Sequence, residues 1–208
     1  KLQKMNTYLS VIKPMLDRLL ALLAIIGSAP FLLAISIYVY CFISRGIIFA
    51  QMRPGFEQRL FRLYKFKTMT DECDADGSLL PDDERLSKYG QFLRKTSLDE
   101  LPEFFNIVMG EMSFVGPRPL LVEYLPLYSK EHLRRHEVKP GLTGLAQVNG
   151  RNQLEWEEKL FLDIKYVEQV SIWLDIKIIF QTVFQVLKSK DIDHHGEIMS
   201  KFEGSKDK

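Results

Sequence analysis

The chain has 208 residues, with 28 basic and 27 acidic side chains and a hydrophobic fraction of 46%. That length suits one domain with an anchor, and the composition excludes a disordered, collagen-like or disulfide-scaffold chain. The near-zero net charge argues against a nucleic-acid partner, since nucleic-acid binders are usually strongly basic. The charge is uneven, because residues 1–44 sum to +3 and the remainder to −2.

The first predicted element is a membrane segment. Residues 19–44 carry no charge, and as a helix they would be about 39 Å long against a hydrocarbon core of about 30 Å. Pro30 lies near the middle, after Ser28, and predicts a break in the helix because proline removes a backbone donor. Basic residues flank both ends of the segment, and such residues favour the cytoplasmic side. We therefore favour a re-entrant helix over a straight span, which would carry the N-terminal lysines across.

A β-hairpin follows, because residues 47–52 and 60–69 are strand-like and enclose the turn signal Arg53-Pro54-Gly55. Residues 71–81 form an acidic loop. Helices are predicted over residues 82–95, 97–109, 123–136, 154–169 and 172–188, the last of them very apolar. This last helix fits equally a core position or the membrane interface. The tail after residue 190 is polar. The fold class is mainly α with a small β-hairpin (α+β).

The most informative stretch contains Arg94, Ser97, Asp99 and Glu100. Ser97 and Glu100 match a helix capping box, and Asp99 would then lie in the first helical turn, where negative charge is favoured. Capping alone explains this pattern. The same geometry also suits chemistry, since an ionised carboxylate beside cations is a candidate nucleophile or metal ligand for phosphate transfer.

Other polar loops offer phosphate contacts. Arg118 lies between two prolines, which suits either a phosphate-binding guanidinium or an exposed surface turn. Gln147, Asn149 and Arg151 offer amide and guanidinium donors on a loop. Lys65 lies on the second strand of the hairpin, where a solvated face is the ordinary explanation.

The order of these motifs is more specific than any one of them. The membrane segment and residues 64–69, 96–102, 112–119, 140–144 and 147–151 together resemble the bacterial sugar transferase family, the monotopic phosphoglycosyl transferases. The resemblance covers about residues 12–190. One departure is at the membrane break, where the family often has Ser-Pro and this chain has Ala29 before Pro30, with Ser28 one position earlier.

The resemblance implies transfer of a sugar 1-phosphate from a UDP-sugar to undecaprenyl phosphate, with release of UMP and with Mg²⁺ as cofactor. Asp99 matches the family's nucleophile and implies a covalent phosphosugar intermediate, ping-pong kinetics and a metal contact. Glu100 matches its partner, which positions or deprotonates the lipid phosphate. Lys65, Arg94, Arg118 and Asp175 match further polar positions, while Gln147, Asn149 and Arg151 are expected to face nucleotide or sugar.

The expected domains are a re-entrant anchor broken at Ser28 and Pro30 (1–45), a cytosolic catalytic domain (46–190) and a polar tail (191–208). The expected location is the cytoplasmic face of a bacterial inner membrane, with membrane lipids and downstream glycosyltransferases as further partners. Residues 117–128 and 201–204 resemble most the family members that use UDP-N,N'-diacetylbacillosamine, in the first membrane step of protein N-glycosylation. The alternatives are another UDP-HexNAc, for O-antigen or capsule assembly, and a non-catalytic membrane-anchored scaffold.

Overall fold

The computed structural model describes residues 7–150, 153–188 and 202–204. A short π-helical turn, Tyr8–Ile12, leads into the first of eight α-helices in the described part of the chain. The helices are α1 (Lys13–Phe42), α2 (Asp82–Arg85), α3 (Lys88–Lys95), α4 (Glu103–Met109), α5 (Lys130–Leu133), α6 (Leu145–Val148), α7 (Trp156–Gln169) and α8 (Ile172–Lys188). The strands are β1 (Ile48–Pro54), β2 (Leu60–Phe66), β3 (Ser113–Val115) and β4 (Gly141–Thr143). Tight 3₁₀ turns occupy Phe56–Gln58, Leu98–Glu100, Val122–Leu127 and Arg134–Glu137.

Helix α1 continues through Pro30 without interruption, so the predicted break in the helix is not seen. Proline removes one backbone hydrogen bond, and apolar helices tolerate that loss when the neighbouring turns stay bonded. The Ser28 hydroxyl donates a hydrogen bond of 2.6 Å to the Ala24 carbonyl, one turn back in the same helix. Among the described residues, the stretch Tyr8–Phe42 is the one helix long and apolar enough to cross a membrane by length and composition.

Both halves of α1 pack against the rest of the chain. Before Pro30, the buried Ala21 joins an apolar cluster from β2, α4 and the residue before β3, formed with Phe61, Leu63, Ile107 and Met112. After Pro30, a second cluster joins α1 to the end of β2 and to α3, and it contains Ile35, Val39, Ile43, Phe66 and Leu93. The remaining α1 surface is largely apolar and exposed.

The predicted hairpin is confirmed. Strands β1 and β2 pair antiparallel, with Phe49 opposite Lys65 and Arg53 opposite Phe61. A second pair, β3 and β4, is parallel and was not predicted. It brings Gly116 against Gly141, and a Cβ added to either glycine would collide with backbone atoms across the pair. The two glycines therefore allow the chain just before Arg118 to lie against the strand that begins at Gly141.

The predicted helices over residues 154–169 and 172–188 are confirmed as α7 and α8. The segment 82–95 instead divides into α2 and α3, because Ser87 begins a new helix by accepting a hydrogen bond from the Gly90 amide. The segment 123–136 forms α5 with two flanking 3₁₀ turns rather than one helix. Helix α8 has a buried face, which agrees with the predicted core position, and an exposed apolar face, since Ile178 is buried while Trp173 and Phe180 are 78% and 72% exposed.

A described part of the predicted polar tail contributes to an aromatic cluster. Phe202 is buried against Tyr124, Tyr128 and Trp156, with ring centroids 5.0–5.6 Å apart. Residues 202–204 therefore pack on the segment that follows Arg118 and on the start of α7.

Candidate functional site

Asp99 and Glu100 project from a tight turn that precedes α4. Ser97 has φ 55° in the left-handed region, and its side chain makes no capping bond. Helix α4 begins at Glu103, after Pro102. The predicted capping box is therefore wrong, because the Glu100 side chain bonds to distant cations instead of to the backbone of Ser97.

Two cations meet at Glu100. Lys65 Nζ lies 2.6 Å from Glu100 Oε1, and Arg118 Nη2 lies 2.6 Å from the same oxygen. Burial alone would raise the pKa of Glu100, but the Arg118 and Lys65 charges outweigh it and lower the pKa to about 2. The sequence prediction that Lys65 and Arg118 belong with this acidic pair agrees with these contacts. Lys67, the first residue after β2, pairs instead with Asp71.

Glu103 is a third carboxylate in the cluster, and sequence reasoning gave it no role. Its side chain is almost fully buried, and Glu103 Oε1 lies 3.2 Å from Lys65 Nζ. Burial and the neighbouring charge of Glu100 raise the pKa of Glu103 to about 7. The sequence did contain a signal for including Glu103 in the site. It lies three residues after Glu100, and in a predicted helix that spacing places both carboxylates on the same face.

Asp99 is the unbonded member of the cluster. It is 9% exposed, and among the described residues its carboxylate receives no hydrogen bond and no ion pair within 4 Å. Burial raises the pKa of Asp99 to about 6 against the opposing charge of Lys65, with Glu100 raising it further. A carboxylate with free lone pairs beside several cations is suited to attack the phosphorus atom of an anionic phosphate group.

Arg94 reaches the same region from α3. Arg94 Nε donates a hydrogen bond of 2.9 Å to Thr68 Oγ1, just beyond β2, and the Arg94 charge is one of those that lower the pKa of Asp99. Gly90 allows this approach, because a Cβ there would collide with the carbonyl of Thr68. The cations Lys65, Arg94 and Arg118 thus come together around Asp99 from three separate segments.

The other predicted site residues that the structure describes make no hydrogen bond or ion pair to these carboxylates. Asn149 follows α6 and donates to the Leu145 carbonyl at 2.7 Å, while the side-chain amide atoms of Gln147 are buried without a partner in the described part of the chain. Arg151 lies outside the described residues. None of the described hydrogen bonds connects Gln147 or Asn149 to the cluster around Asp99.

Asp175 is held in a different network. Its carboxylate is buried and accepts hydrogen bonds from Lys13 Nζ at 2.5 Å, Tyr8 at 2.6 Å and Tyr166 at 2.8 Å. Lys13 is the first residue of α1, so this geometry assigns Asp175 to joining α8 with the N-terminal helix. The structure does not bring Asp175 into contact with Asp99.

The donor set suits one kind of metal site. The described residues contain no group of three or more His, Cys, Asp or Glu arranged to hold an ion. Mg²⁺ typically takes one or two protein carboxylates and completes its shell with substrate phosphates and water. The free Asp99 carboxylate fits that requirement, whereas the contacted oxygen of Glu100 is engaged by Lys65 and Arg118.

Comparison with known proteins identifies one family over most of the chain. The family model described as bacterial sugar transferase matches residues 8–189. The uncharacterized sugar transferase EpsL of Bacillus subtilis (strain 168) is 52% identical over 166 residues, which is 79% of this chain and 82% of EpsL.

Two further relatives are named UDP-glucose:undecaprenyl-phosphate glucose-1-phosphate transferase. The one from Xanthomonas campestris pv. campestris is 38% identical over 196 residues, and the one from Klebsiella pneumoniae is 42% identical over 185 residues. The alignments cover 89% and 84% of this chain but 40% of each relative, so the chain spans less than half of their length. The chain belongs to the bacterial sugar transferase family.

Proposed function

We propose that this chain transfers a sugar 1-phosphate from a UDP-sugar to undecaprenyl phosphate and releases UMP. The observation that carries the proposal is the buried, unbonded carboxylate of Asp99 among the charges of Lys65, Arg94 and Arg118. Relatives that are 38–42% identical are named for this class of reaction with UDP-glucose. A cluster of ionisable groups with perturbed pKa values is typical of a catalytic site.

The first half-reaction is nucleophilic attack on phosphorus. An oxygen of Asp99 forms a bond to the phosphorus that carries the sugar, and the bond from that phosphorus to UMP breaks, with its electron pair leaving on UMP. In the second half-reaction an oxygen of undecaprenyl phosphate attacks the same phosphorus. The bond to Asp99 then breaks, which restores the carboxylate and gives the diphosphate-linked lipid.

The cations supply most of the stabilisation in both steps. Guanidinium and ammonium groups offset charge that develops on the transferring phosphoryl group. Mg²⁺, as the proposed cofactor, would contact Asp99 and neutralise part of the charge on the diphosphate. With its low pKa, Glu100 is a poor proton acceptor at neutral pH, which supports the positioning role for this residue.

We further propose that the chain is monotopic at the cytoplasmic face of the membrane, with α1 entering and leaving on the same side. The support is the contact that both ends of α1 make with the rest of the chain. Lys13 bonds to Asp175 at one end, and Ile43 packs with Phe66 and Leu93 at the other. A helix that crossed the bilayer would carry one of these buried contacts away from the domain.

The proposed donor is UDP-N,N'-diacetylbacillosamine, with protein N-glycosylation as the pathway. The support is the resemblance of residues 117–128 and 201–204, together with the packing of Phe202 on Tyr124 and Tyr128, which joins those two segments. The unpaired amide of Gln147 supports a contact with nucleotide or sugar. UDP-glucose is the second candidate donor, because it appears in the names of two relatives.

The test measures UMP release from a panel of UDP-sugars in the presence of undecaprenyl phosphate. We expect release with one preferred donor, loss of release with EDTA, and a labelled protein adduct when the lipid is omitted. Asp99→Asn should abolish both release and adduct, whereas Asp83→Asn, an exposed control on α2, should retain both. Near-normal release from Asp99→Asn would refute the nucleophile, and no release from the unaltered protein with any donor would favour a non-catalytic scaffold.

A further inference from the structure

A buried ion pair lies behind the loop that carries Arg118. Arg135, in the 3₁₀ turn Arg134–Glu137, is 2% exposed, and Asp163, on α7, is 4% exposed. Arg135 donates from Nε and from Nη2 to Asp163 Oδ2, at 3.0 Å and 2.7 Å. Burying two charges is costly even when they are paired, and replacing such a pair by apolar residues is often neutral or stabilising. A buried pair of this kind is therefore poorly explained by stability alone.

The same guanidinium also lies 5.7 Å from the centroid of the Tyr128 ring, and it makes one further hydrogen bond that reaches the site. Arg135 Nη2 also donates to the backbone carbonyl of Arg118, at 2.7 Å. Arg118 stands between two prolines, which have no N–H and so leave the segment few backbone bonds of its own. On the N-terminal side the Gly141 amide donates to the carbonyl of Pro117, at 3.0 Å. Arg135 thus holds the backbone of the residue whose side chain contacts Glu100.

We propose that Arg135, oriented by Asp163, is a positioning residue for Arg118. It fixes the backbone from which the Arg118 guanidinium reaches Glu100 and the transferring phosphoryl group. The inference rests on the proposed function, since it assigns a catalytic consequence to the position of Arg118. The path runs from α7 through Arg135 to the Arg118 carbonyl, and then along the Arg118 side chain to Glu100 at 2.6 Å.

The turn that carries Arg135 is itself well anchored. The neighbouring His136 is buried, and its Nδ1 lies 3.1 Å from the Gly55 carbonyl at the tip of the hairpin. Pro54, Pro117, Pro119 and Pro140 line the small pocket of about 10 Å³ between this turn and the Arg118 loop, so the backbone on both sides of the pocket is stiff. A guanidinium held on both sides in this way can set the position of the Arg118 backbone rather than follow it.

The neighbouring residue provides a matched control. Arg134 lies in the same turn and also contacts α7, through an ion pair of 2.9 Å with Glu168, but its partners in the described part of the chain are the surface carboxylates Glu131, Glu137 and Glu168. Arg134→Met and Arg135→Met therefore remove the same side chain from adjacent positions. Arg134→Met removes surface ion pairs. Arg135→Met removes the bond to the Arg118 carbonyl together with the buried ion pair to Asp163 and the contact with the Tyr128 ring, and Asp163→Asn separates these contributions because it leaves the Arg135 side chain in place.

The test compares steady-state UMP release by the two variants. We expect Arg135→Met to lower kcat by about 100-fold, because a small displacement of a catalytic group is enough for such a loss, and Arg134→Met to change it less than about threefold. Asp163→Asn, which keeps an acceptor for Arg135, should give an intermediate loss with the fold retained. The loss from Arg135→Met should nearly vanish when Arg118→Met is already present, because both changes remove the same contribution. Additive losses would contradict the proposal.

A second measurement does not depend on activity. Hydrogen exchange of the peptide that contains Gly116, Arg118 and Leu120 should become faster in Asp163→Asn and Arg135→Met and stay unchanged in Arg134→Met. Unchanged exchange in all three variants would overturn the inference even if the enzyme were inactive for another reason. If the unaltered protein releases no UMP, the proposed function fails, and the exchange result alone then decides whether Arg135 holds the Arg118 loop.

Discussion

Replacement of Glu103 tests the electrostatics of the acidic cluster without removing a cation or the nucleophile. Glu103→Gln keeps the size of the side chain and an oxygen that can face Lys65, but it removes the titrating group. Burial and the charge of Glu100 raise the pKa of Glu103 from 4.5 to about 7, so the folded chain binds this proton more tightly than the unfolded chain does.

The sign and size of the effect follow from that shift. The stability that the protonated group contributes is fully present below the unfolded pKa, near 4.5, and is lost as pH rises through about 7. Between pH 5 and pH 8 this loss amounts to about 2–3 kcal/mol for the unaltered protein. Glu103→Gln has no group at this position that titrates. The free energy of unfolding of the variant should therefore rise by that amount relative to the unaltered protein between pH 5 and pH 8.

The assay is thermal unfolding of the purified protein in detergent at pH 5, 6, 7 and 8. For a chain of this length, the expected gain in Tm of Glu103→Gln over the unaltered protein grows by about 5–10 °C from pH 5 to pH 8. Glu158→Gln, an exposed control on α7, should give a difference that does not change with pH. A Glu103→Gln difference equally flat with pH would show that Glu103 ionises like an exposed carboxylate, and would refute the reasoning about the cluster.

Three more predictions concern the same region. Lys65→Met leaves two buried carboxylates without the cation that they share. We expect this change to lower the free energy of unfolding by about 3–5 kcal/mol and to abolish UMP release. Lys67→Met, which removes a surface ion pair, should lower the free energy of unfolding by less than about 1 kcal/mol. Because burial raises the pKa of Asp99 to about 6, the rate of UMP release should fall as pH drops through 6. A rate that does not change between pH 7 and pH 4.5 would contradict the role of Asp99 as an ionised nucleophile. Gly90→Ala should destabilise by about 1–3 kcal/mol in thermal unfolding, because the added methyl group meets backbone, while Gly27→Ala in α1 has nothing within 4 Å and should not destabilise.

The elements that sequence reasoning predicted well are those specified by their own residues. The hairpin follows from strand-like residues around a Pro-Gly turn, and α7 and α8 follow from long periodic apolar patterns. The local pattern failed at Ser97, because contacts between Glu100 and residues 35 and 18 positions away replaced the capping bond. A capping motif describes a few neighbouring residues and says nothing about cations that arrive from another strand or loop.

Part of the candidate site depended on contacts that no short motif contains. The parallel pair β3–β4 places Gly116 beside Gly141, and the link from Asp163 to Arg135 joins residues 28 positions apart. Neither produces a period of 2 or 3.6 residues. Asp175 shows the reverse case, since its motif position suggested the site while its bonds to Lys13 and Tyr166 place it in the contact with α1.

Helix α1 contributes buried residues to the fold although most of its apolar surface is exposed. Ala21 and Val39 have no exposed surface, and Lys13 is the cationic partner of the buried Asp175. Removal of the helix to obtain a water-soluble fragment would uncover two apolar clusters and leave a carboxylate buried without its countercharge. Exchange of the helix for an unrelated transmembrane segment would do the same. Engineering of this protein should therefore treat α1 and the rest of the chain as one folding unit, to be solubilised together in detergent or lipid.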